Sequence, residues 1–344
     1  MELNKDDTIA IKGVAMLFML WHHLFLFKNE YGVFVETLAE IFKVCVALFL
    51  FVSGYGLTKQ FSKLEKPYFK NTVKFLIRRY VNFFLSYWFC FVLVVVVGNL
   101  SGLSFQDAYP ASRNTLKCII LDVFGYMGSY SYLRTWWFNK MILQLYFVFP
   151  ILYLLVKNRY CAVAGIVLII ILQLKAHSIP GKIFFVVEGG TPSFFLGMVM
   201  AKHDFLRFDK TKIPRLIGIL ISLVLCVGLS LFHAYLGIYG YEAMIIRALL
   251  ALSIVCFLVF LFSFFPNCGR VLGFIGKYAT IMYLTHSLLQ SLMNNLIYSL
   301  HYPILVFLLF AVISFGVAVL IDGLQRLVKY EKLKISLVKL IEKW

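Results

Sequence analysis

Charged residues are scarce in this chain of 344 residues, and acidic ones are the scarcest. Only 14% of the residues are charged, whereas 62% are hydrophobic, with 35 Phe and 20 Tyr among them. A soluble protein of this length cannot bury so much apolar surface, and several apolar runs are long enough to cross a bilayer. The composition therefore predicts an all-α polytopic membrane protein and argues against a soluble enzyme.

The shortage of acidic residues gives the chain a net charge of +17, from 33 Lys and Arg against 16 Asp and Glu. Such a charge can indicate nucleic-acid binding, but in a membrane protein Lys and Arg collect in cytoplasmic loops. We interpret the charge as a topological signal and predict no nucleic-acid partner.

The sequence also lacks the patterns of a metal centre and of a cleaved leader. Its seven cysteines are scattered and form no Cys-x-x-Cys pair, so we expect small core residues and no metal site. The chain runs from Met1 into its first apolar run without a small-residue cleavage site, which indicates an uncleaved anchor.

Apolar runs divide the chain into ten predicted membrane spans. They cover residues 9–27, 38–58, 80–98, 136–156, 161–176, 183–201, 215–236, 243–264, 278–297 and 303–325. The apolar segment 116–128 is predicted to be re-entrant or interfacial, because counting it as a span would place the later basic loops outside. Both termini are then cytoplasmic. Residues 1–330 are predicted to form one integral-membrane domain, and residues 331–344 a basic amphipathic cytoplasmic tail.

The first apolar run carries ionisable side chains, which are costly inside a bilayer and usually mark a site. On an α-helix, Lys12 and His23 lie within about 20° of one face and roughly 16 Å apart along the axis. Imidazole titrates near neutrality, so His23 can act as a general base that removes a hydroxyl proton. The alternative is that His23 is a hydrogen-bonding core residue, and the sequence leaves both interpretations open.

A second group of candidate residues lies at the predicted cytoplasmic ends of the second and third spans. Ser53 and Gly54 lie near the end of the second span, and Arg78 and Arg79 enter the third. Cations beside a Gly-containing helix end suit a phosphorylated cytoplasmic ligand. The alternative is that the two arginines only extend into lipid headgroups.

Five motifs occur in order along the chain, and together they resemble a known family. Lys12–Ala15 with His23 is similar to an Arg/Lys–ten residues–His signature, and Phe49–Tyr55 to a Phe-rich run into Ser-Gly-Phe. The other three are Trp136-Trp137-Phe138 with Gln144, Tyr146 and Pro150, then Phe194–Gly197, then Gly276–Ala279 with Tyr283–His286. The family is the acyltransferase-3 family of integral-membrane acyltransferases, and the resemblance covers nearly the whole chain.

The resemblance implies ten transmembrane helices and an O-acyltransferase of a bacterial plasma (inner) membrane. The donor would be cytoplasmic acyl-CoA, with acetyl favoured over succinyl. The acceptor would be a hydroxyl of a cell-surface or exported polysaccharide or glycolipid. By the same resemblance, His23 is the general base and Lys12 a phosphate-binding or positioning cation. Ser53 and Gly54 would shape the acyl path.

The third predicted span departs from the family's pattern. Arg79 matches the first arginine of the family's Arg-x-x-Arg motif, but the second position is Asn82 and the usual following proline is Leu85. Arg79 and its neighbour Arg78 are therefore expected to bind acyl-CoA without a second motif arginine.

Three residues are candidates for a supporting role: His286, Arg247 and Trp136. His286 is predicted either to hydrogen-bond inside the helix bundle or to titrate. Arg247 is predicted to pair with Glu188 or Glu242, or to contact an acidic acceptor. Trp136 suits an interfacial anchor, and an indole there can also stack on a sugar ring.

Two other functions compete with acyl transfer. Buried charges also line the path of a transporter or flippase, here for a lipid-linked sugar or an anion, but the paired halves common in such proteins are not visible in the sequence. The third possibility is a structural partner in an envelope complex that has lost catalysis, against which Lys12 and His23 argue.

Overall fold

The computed structural model describes residues 3–64, 68–110, 112–175, 190–208, 214–236 and 241–343. Within these residues the chain is helical and contains no β-strand. The α-helices are α1 Lys5–Phe25, α2 Val33–Phe42, α3 Cys45–Phe61, α4 Tyr68–Leu100, α5 Phe105–Ala108, α6 Thr115–Val123, α7 Trp137–Leu155, α8 Arg159–Leu174, α9 Thr191–Lys202, α10 Arg215–Leu236, α11 Tyr241–Phe264, α12 Pro266–Leu292, α13 Asn294–Tyr298, α14 Pro303–Leu327 and α15 Tyr330–Lys343.

Helix α1 begins at a defined residue because a capping box closes its first turn. The Asn4 side chain accepts a hydrogen bond from the Asp7 N–H at 2.9 Å, and the Asp7 carboxylate accepts one from the Asn4 N–H at 3.1 Å. This reciprocal pair satisfies backbone donors that an uncapped helix leaves open. The cap fixes the start of the helix that carries Lys12 and His23.

Six of the described helices are long and apolar enough to cross a bilayer: α1, α4, α7, α10, α11 and α14. They correspond to six of the ten predicted spans, and the predicted count of ten is not confirmed. Helix α8 is apolar but has only 16 residues. The predicted span 278–297 falls on the end of α12 and on α13, and the span 183–201 begins outside the described residues.

The predicted span 38–58 is interrupted near its start. Helix α2 ends at Phe42 and α3 begins at Cys45, so Lys43 and Val44 separate two shorter helices. Tight i→i−3 hydrogen bonds close α2, from the Lys43 N–H to the Glu40 carbonyl at 3.2 Å and from the Val44 N–H to the Ile41 carbonyl at 3.1 Å. A polar side chain and a helix end therefore lie where the sequence predicts continuous apolar helix.

The chain divides into two compact units, each described by itself. The first comprises the described parts of Met1–Lys63 and Phe149–Ala279. In this unit α3 packs against α1, α9 and α11, while α10 packs against α11 and α2. Its core is apolar and includes Ile11, Phe51 and Val255, all of them fully buried.

Two glycines bring α1 and α12 into backbone contact within the first unit. A Cβ added to Gly13 would overlap the Leu272 carbonyl oxygen, and one added to Gly276 would overlap the Ile9 carbonyl oxygen. The two substitutions would collide with opposite helices at the same crossing. Small residues allow such close approach between membrane helices. The backbone contact between α1 and α12 therefore explains why both positions are glycine.

A second glycine pair lies where α3 crosses α9. A Cβ on Gly54 would overlap the Phe194 carbonyl oxygen, and one on Gly197 would overlap the Phe51 carbonyl oxygen. All four crossing glycines belong to the motifs found in the sequence. Their role in the fold is to let helices touch through their backbones.

The second unit comprises the described parts of Leu64–Val148 and Thr280–Trp344. Helix α4 has 33 residues, about 50 Å in length, and α15 packs against it. The core of this unit is aromatic, with Tyr87 and Trp136 fully buried beside Leu284.

The segment after α6 is fastened by a buried carboxylate, Asp122. Its side chain accepts hydrogen bonds from the Tyr109 hydroxyl at 3.0 Å and from the Tyr132 N–H at 2.6 Å. The Tyr87 hydroxyl of α4 donates to the Asp122 backbone carbonyl at 2.7 Å. Burial raises the pKa of Asp122, and these hydrogen bonds oppose that rise. Helix α6 has nine residues, too short to cross a bilayer, and the hydrogen bonds tie its end to α4.

Candidate functional site

Helix α1 is continuous from Lys5 to Phe25, so the angular relation between Lys12 and His23 expected from the sequence holds along one helix. Both side chains are half-buried, whereas their neighbours Ile11, Gly13, His22 and Leu24 are buried. Lys12 and His23 are therefore more exposed than the residues that precede and follow them in the sequence.

The surface of α1 between these two residues carries Met16 and Met19. At 100° per residue, both lie within about 40° of Lys12 around the helix. Both are buried, at 0% and 5% exposure. Thioether side chains are flexible and fill irregular gaps, so the path along α1 from the cation to the imidazole is apolar and adaptable.

His22, and not His23, forms the hydrogen bond that joins α1 to α2. Its Nδ1 lies 2.8 Å from the Ala39 carbonyl oxygen, which can only accept, so Nδ1 carries the proton. The rings of His22 and His23 approach at an angle, with their centroids 5.1 Å apart. His22 holds the end of α1 in place, and the His23 ring lies directly beside it.

Ser53 and Gly54 have different surroundings on α3. Gly54 is buried against the backbone of α9 at Phe194. Ser53 is half-buried. The structure gives Gly54 a packing role at the helix crossing, and a part for Ser53 in an acyl path stays a prediction.

Arg78 and Arg79 of α4 have different partners within the second unit. The Arg78 Nη1 lies 3.4 Å from the Glu342 carboxylate of α15, and both side chains are partly exposed. The Arg79 guanidinium lies over the Phe75 ring, 5.2 Å from its centroid. Arg78 is therefore paired with the C-terminal helix, whereas Arg79 packs on an aromatic ring of its own helix.

The departure from the family's pattern at Leu85 leaves α4 unbroken. The helix continues from Tyr68 to Leu100, whereas a proline inside a helix removes a hydrogen bond and bends the chain. The Leu85 carbonyl also accepts a hydrogen bond from the Tyr330 hydroxyl at 2.9 Å. That bond and the Arg78–Glu342 pair join α15 to α4 at two places.

Trp136 is not an interfacial anchor, and no face of it is open to a sugar ring. Its exposure is 0%, because the Tyr87 and Phe91 rings pack on it with centroids 5.3 and 5.6 Å away. Its indole N–H donates to the Leu284 carbonyl at 3.0 Å. The correction is that this tryptophan is a core residue of the second unit, with its polar atom satisfied inside the protein.

His286 is also fully buried in the second unit. Its Nδ1 lies 2.8 Å from the Tyr283 carbonyl, one turn earlier in α12. This contact is local to the helix. The two predicted roles of His286, a hydrogen bond across the cavity of the helix bundle and titration, both stay predictions.

Arg247 has a partner that the sequence did not single out. The side chain is 6% exposed on α11, and its Nε donates to the His233 Nε2 of α10 at 3.0 Å. Glu188 and the Glu242 side chain, the expected partners, lie outside the described residues. The sequence does contain a signal for this pair. His233 lies near the end of the apolar run that precedes Arg247, and helices that are neighbours in sequence often pack together.

The predicted site residues are divided between the two units. Those of the first unit are Lys12, His23, Ser53, Gly54 and Arg247, and those of the second are Arg78, Arg79, Trp136 and His286. In the first unit, the crossings through Gly13 and Gly54 fix the backbone beside Lys12 and Ser53. In the second, Arg78 and Arg79 lie together on α4.

The fold and the buried ionisable groups define the class of this protein, a multi-pass α-helical membrane protein with polar groups inside its helix bundle. The model of the acyltransferase-3 family, described as an acyltransferase domain, matches residues 8–323. The chain therefore belongs to that family and is a membrane acyltransferase. Comparison with curated proteins and with solved structures gave no match.

Proposed function

We propose that this acyltransferase moves an acetyl group from cytoplasmic acetyl-CoA to a hydroxyl of a cell-surface or exported polysaccharide or glycolipid, in the plasma membrane of a bacterium. The observation that supports the proposal is the pair Lys12 and His23, which lie on one face of the continuous helix α1 and are half-buried between buried neighbours. The family membership supports the reaction type.

His23 acts as the general base in this proposal. It takes the proton of the acceptor hydroxyl as the oxygen attacks the thioester carbonyl carbon. The tetrahedral intermediate then collapses, the carbon–sulfur bond breaks, and the CoA sulfur leaves with a proton returned from the imidazolium. A thioester is already activated, so the protein mainly has to position the two substrates and move this proton.

Cations near the predicted cytoplasmic surface hold the donor. In the second unit, Arg78 and Arg79 on α4 bind the CoA phosphates. In the first unit, Lys12 on α1 is a positioning cation, with Ser53 beside the acyl path. The buried methionines Met16 and Met19 line α1 between Lys12 and His23. Their flexible side chains can move aside for the methyl group of the acetyl donor.

The test is the release of free thiol from acetyl-CoA by purified protein in nanodiscs, with a crude surface-glycan extract as acceptor. His23→Ala is expected to lose acceptor-dependent release. The matched control is His301→Ala, because His301 is an exposed histidine outside the helices. Equal activity of the two variants would remove His23 from the mechanism. Glycan or anion transport in vesicles without CoA, with no thiol release, would favour the transporter hypothesis.

A further inference from the structure

A groove runs between α10 and α11 in the first unit. Its volume of about 430 Å³ is within the range of ligand-binding sites. It extends along α10 from Gly218 to Leu229 and along α11 from Leu249 to Phe260, a length of about 16 Å on each helix. Leu225, which lines it, is about half exposed, so the groove opens onto the surface of the protein.

The groove exists because small side chains line it on both helices. They are Gly218 and Ser222 on α10, and Ser253 and Cys256 on α11. The Ser222 hydroxyl donates to the Gly218 carbonyl at 2.7 Å, and the Ser253 hydroxyl donates to the Leu250 carbonyl at 2.8 Å. Both hydroxyls are therefore satisfied within their own helices, and the remaining lining is apolar. Such a surface favours a hydrocarbon ligand over a polar one.

The position of the groove in the bilayer follows from its two helices. Both α10 and α11 are long and apolar enough to span a membrane, and α10 is mostly unburied. Its exposed side chains are apolar, with Leu220 at 52% and Val224 at 69%, so this surface faces lipid. The length of about 16 Å is half of a hydrocarbon core of about 30 Å. The groove therefore matches the acyl chain of a lipid in one leaflet.

A cation lies at one end of the groove. Gly218 and Phe260 mark this end, because a Cβ on Gly218 would overlap the Phe260 ring. One helical turn beyond, the Arg215 Nη1 donates to the Ser263 carbonyl at 3.3 Å, and its guanidinium lies 5.9 Å from the centroid of the Phe264 ring. Neither partner carries a charge, and Arg215 forms no ion pair with another residue in the described part of the chain.

We propose that this groove binds one acyl chain of an anionic phospholipid, whose phosphate lies at Arg215. An arginine at the end of an apolar groove one leaflet long complements both parts of such a lipid. The segment before α10 also carries Arg207, Lys210 and Lys212, which predicts a cytoplasmic location for this end and attracts anionic lipid. The bound lipid would fill the gap between α10 and α11. This binding does not depend on acyl transfer.

Photo-crosslinking in nanodiscs tests the proposal. The probe is a phosphatidylglycerol with a diazirine at the end of one acyl chain, diluted into phosphatidylcholine, and the labelled residues are located by mass spectrometry. With the phosphate at Arg215, the chain end is expected to label the far end of the groove, near Leu229 and Leu249. The label should be about fivefold stronger than with the same chain on phosphatidylcholine. Arg215→Gln should remove that preference. Arg270→Gln is the control, because Arg270 is an exposed cation of α12 bonded to Asn267.

A second variant fills the groove and leaves the cation in place. Cys256→Phe puts a ring into the lining and is expected to abolish labelling near Leu229 and Leu249. The matched control is Cys161→Phe on α8, since Cys161 is also half-buried but does not line the groove. Phosphatidylglycerol should also raise the thermal unfolding temperature of wild type and of Cys161→Phe, but not that of Cys256→Phe.

Three results would overturn the proposal. Even labelling of all lipid-exposed helices would mean that the lipid at α10 and α11 is ordinary bilayer lipid. Unchanged labelling in both Arg215→Gln and Cys256→Phe would exclude the groove and its cation as the site. Displacement of the probe by an equal concentration of polyprenyl phosphate, but not by unlabelled phosphatidylglycerol, would assign the groove to the carrier of a lipid-linked sugar.

Discussion

Replacement of Gly54 by alanine tests the crossing of α3 and α9. The new Cβ would overlap the Phe194 carbonyl oxygen, which is backbone and cannot turn away as a side chain can. Overpacking of this kind costs typically about 1–3 kcal/mol, and a backbone clash belongs at the upper end. Alanine regains up to about 1 kcal/mol through its better helix propensity. The expected net loss is about 2 kcal/mol in the free energy of unfolding.

Gly56 is the matched control, because it lies two residues further along the same helix. A Cβ there meets no atom within 4 Å. Gly56→Ala is therefore expected to stabilise the protein by up to about 1 kcal/mol through helix propensity alone. Because both variants gain the same propensity, the difference of about 3 kcal/mol between them reports the clash.

Denaturant unfolding in mixed micelles, followed by helical circular dichroism, measures both variants. Gly54→Ala should also lower acyl transfer, because separating α3 from α9 moves the neighbouring Ser53. If Gly54→Ala is as stable as Gly56→Ala, the backbones of α3 and α9 do not touch at this point. The packing explanation of the Ser-Gly motif would then be wrong.

Two other predictions concern the second unit. Glu342→Gln removes the partly exposed ion pair with Arg78, an interaction of at most about 1 kcal/mol; it should lower the KM for acetyl-CoA up to about fivefold with kcat unchanged. Glu331→Gln, on the same helix, serves as control, and an equal effect of both would exclude a specific role of the pair. Asp122→Ala leaves the buried Tyr109 hydroxyl without its acceptor and should cost about 1–3 kcal/mol of stability; unchanged denaturant unfolding would show that the hydrogen bonds contribute nothing.

Helix positions were predictable where the sequence changes sharply from polar to apolar. The first predicted span, 9–27, matches α1 at Lys5–Phe25, and the last, 303–325, matches α14 at Pro303–Leu327. Asn4 and Pro303 stand at these boundaries as residues typical of helix starts. Local signals of this kind are read directly from the chain, and both ends were placed within a few residues.

The break at Lys43 and the burial of Trp136 could not be predicted in the same way. The run 38–58 contains no proline or glycine near Lys43, so hydropathy alone indicates one continuous helix. The carbonyl of Ala39 instead accepts from His22, a contact between helices. Trp136 is buried by aromatic rings on α4. Both outcomes depend on how helices rotate against each other, which no single segment specifies.

The motifs in the first and second predicted spans each join a residue that the proposed function uses to a glycine that packs two helices together, and sequence similarity does not separate these two roles. Lys12 directly precedes Gly13, and Ser53 directly precedes Gly54. Each glycine holds its helix against the backbone of another, with no side chain between them to adjust the distance. The residue before it is then fixed in position, about 100° around the same helix. Substrate positioning requires a rigid backbone beneath a catalytic or binding group. Under the proposed function, the two glycines therefore support the reaction by fixing the backbone next to Lys12 and Ser53.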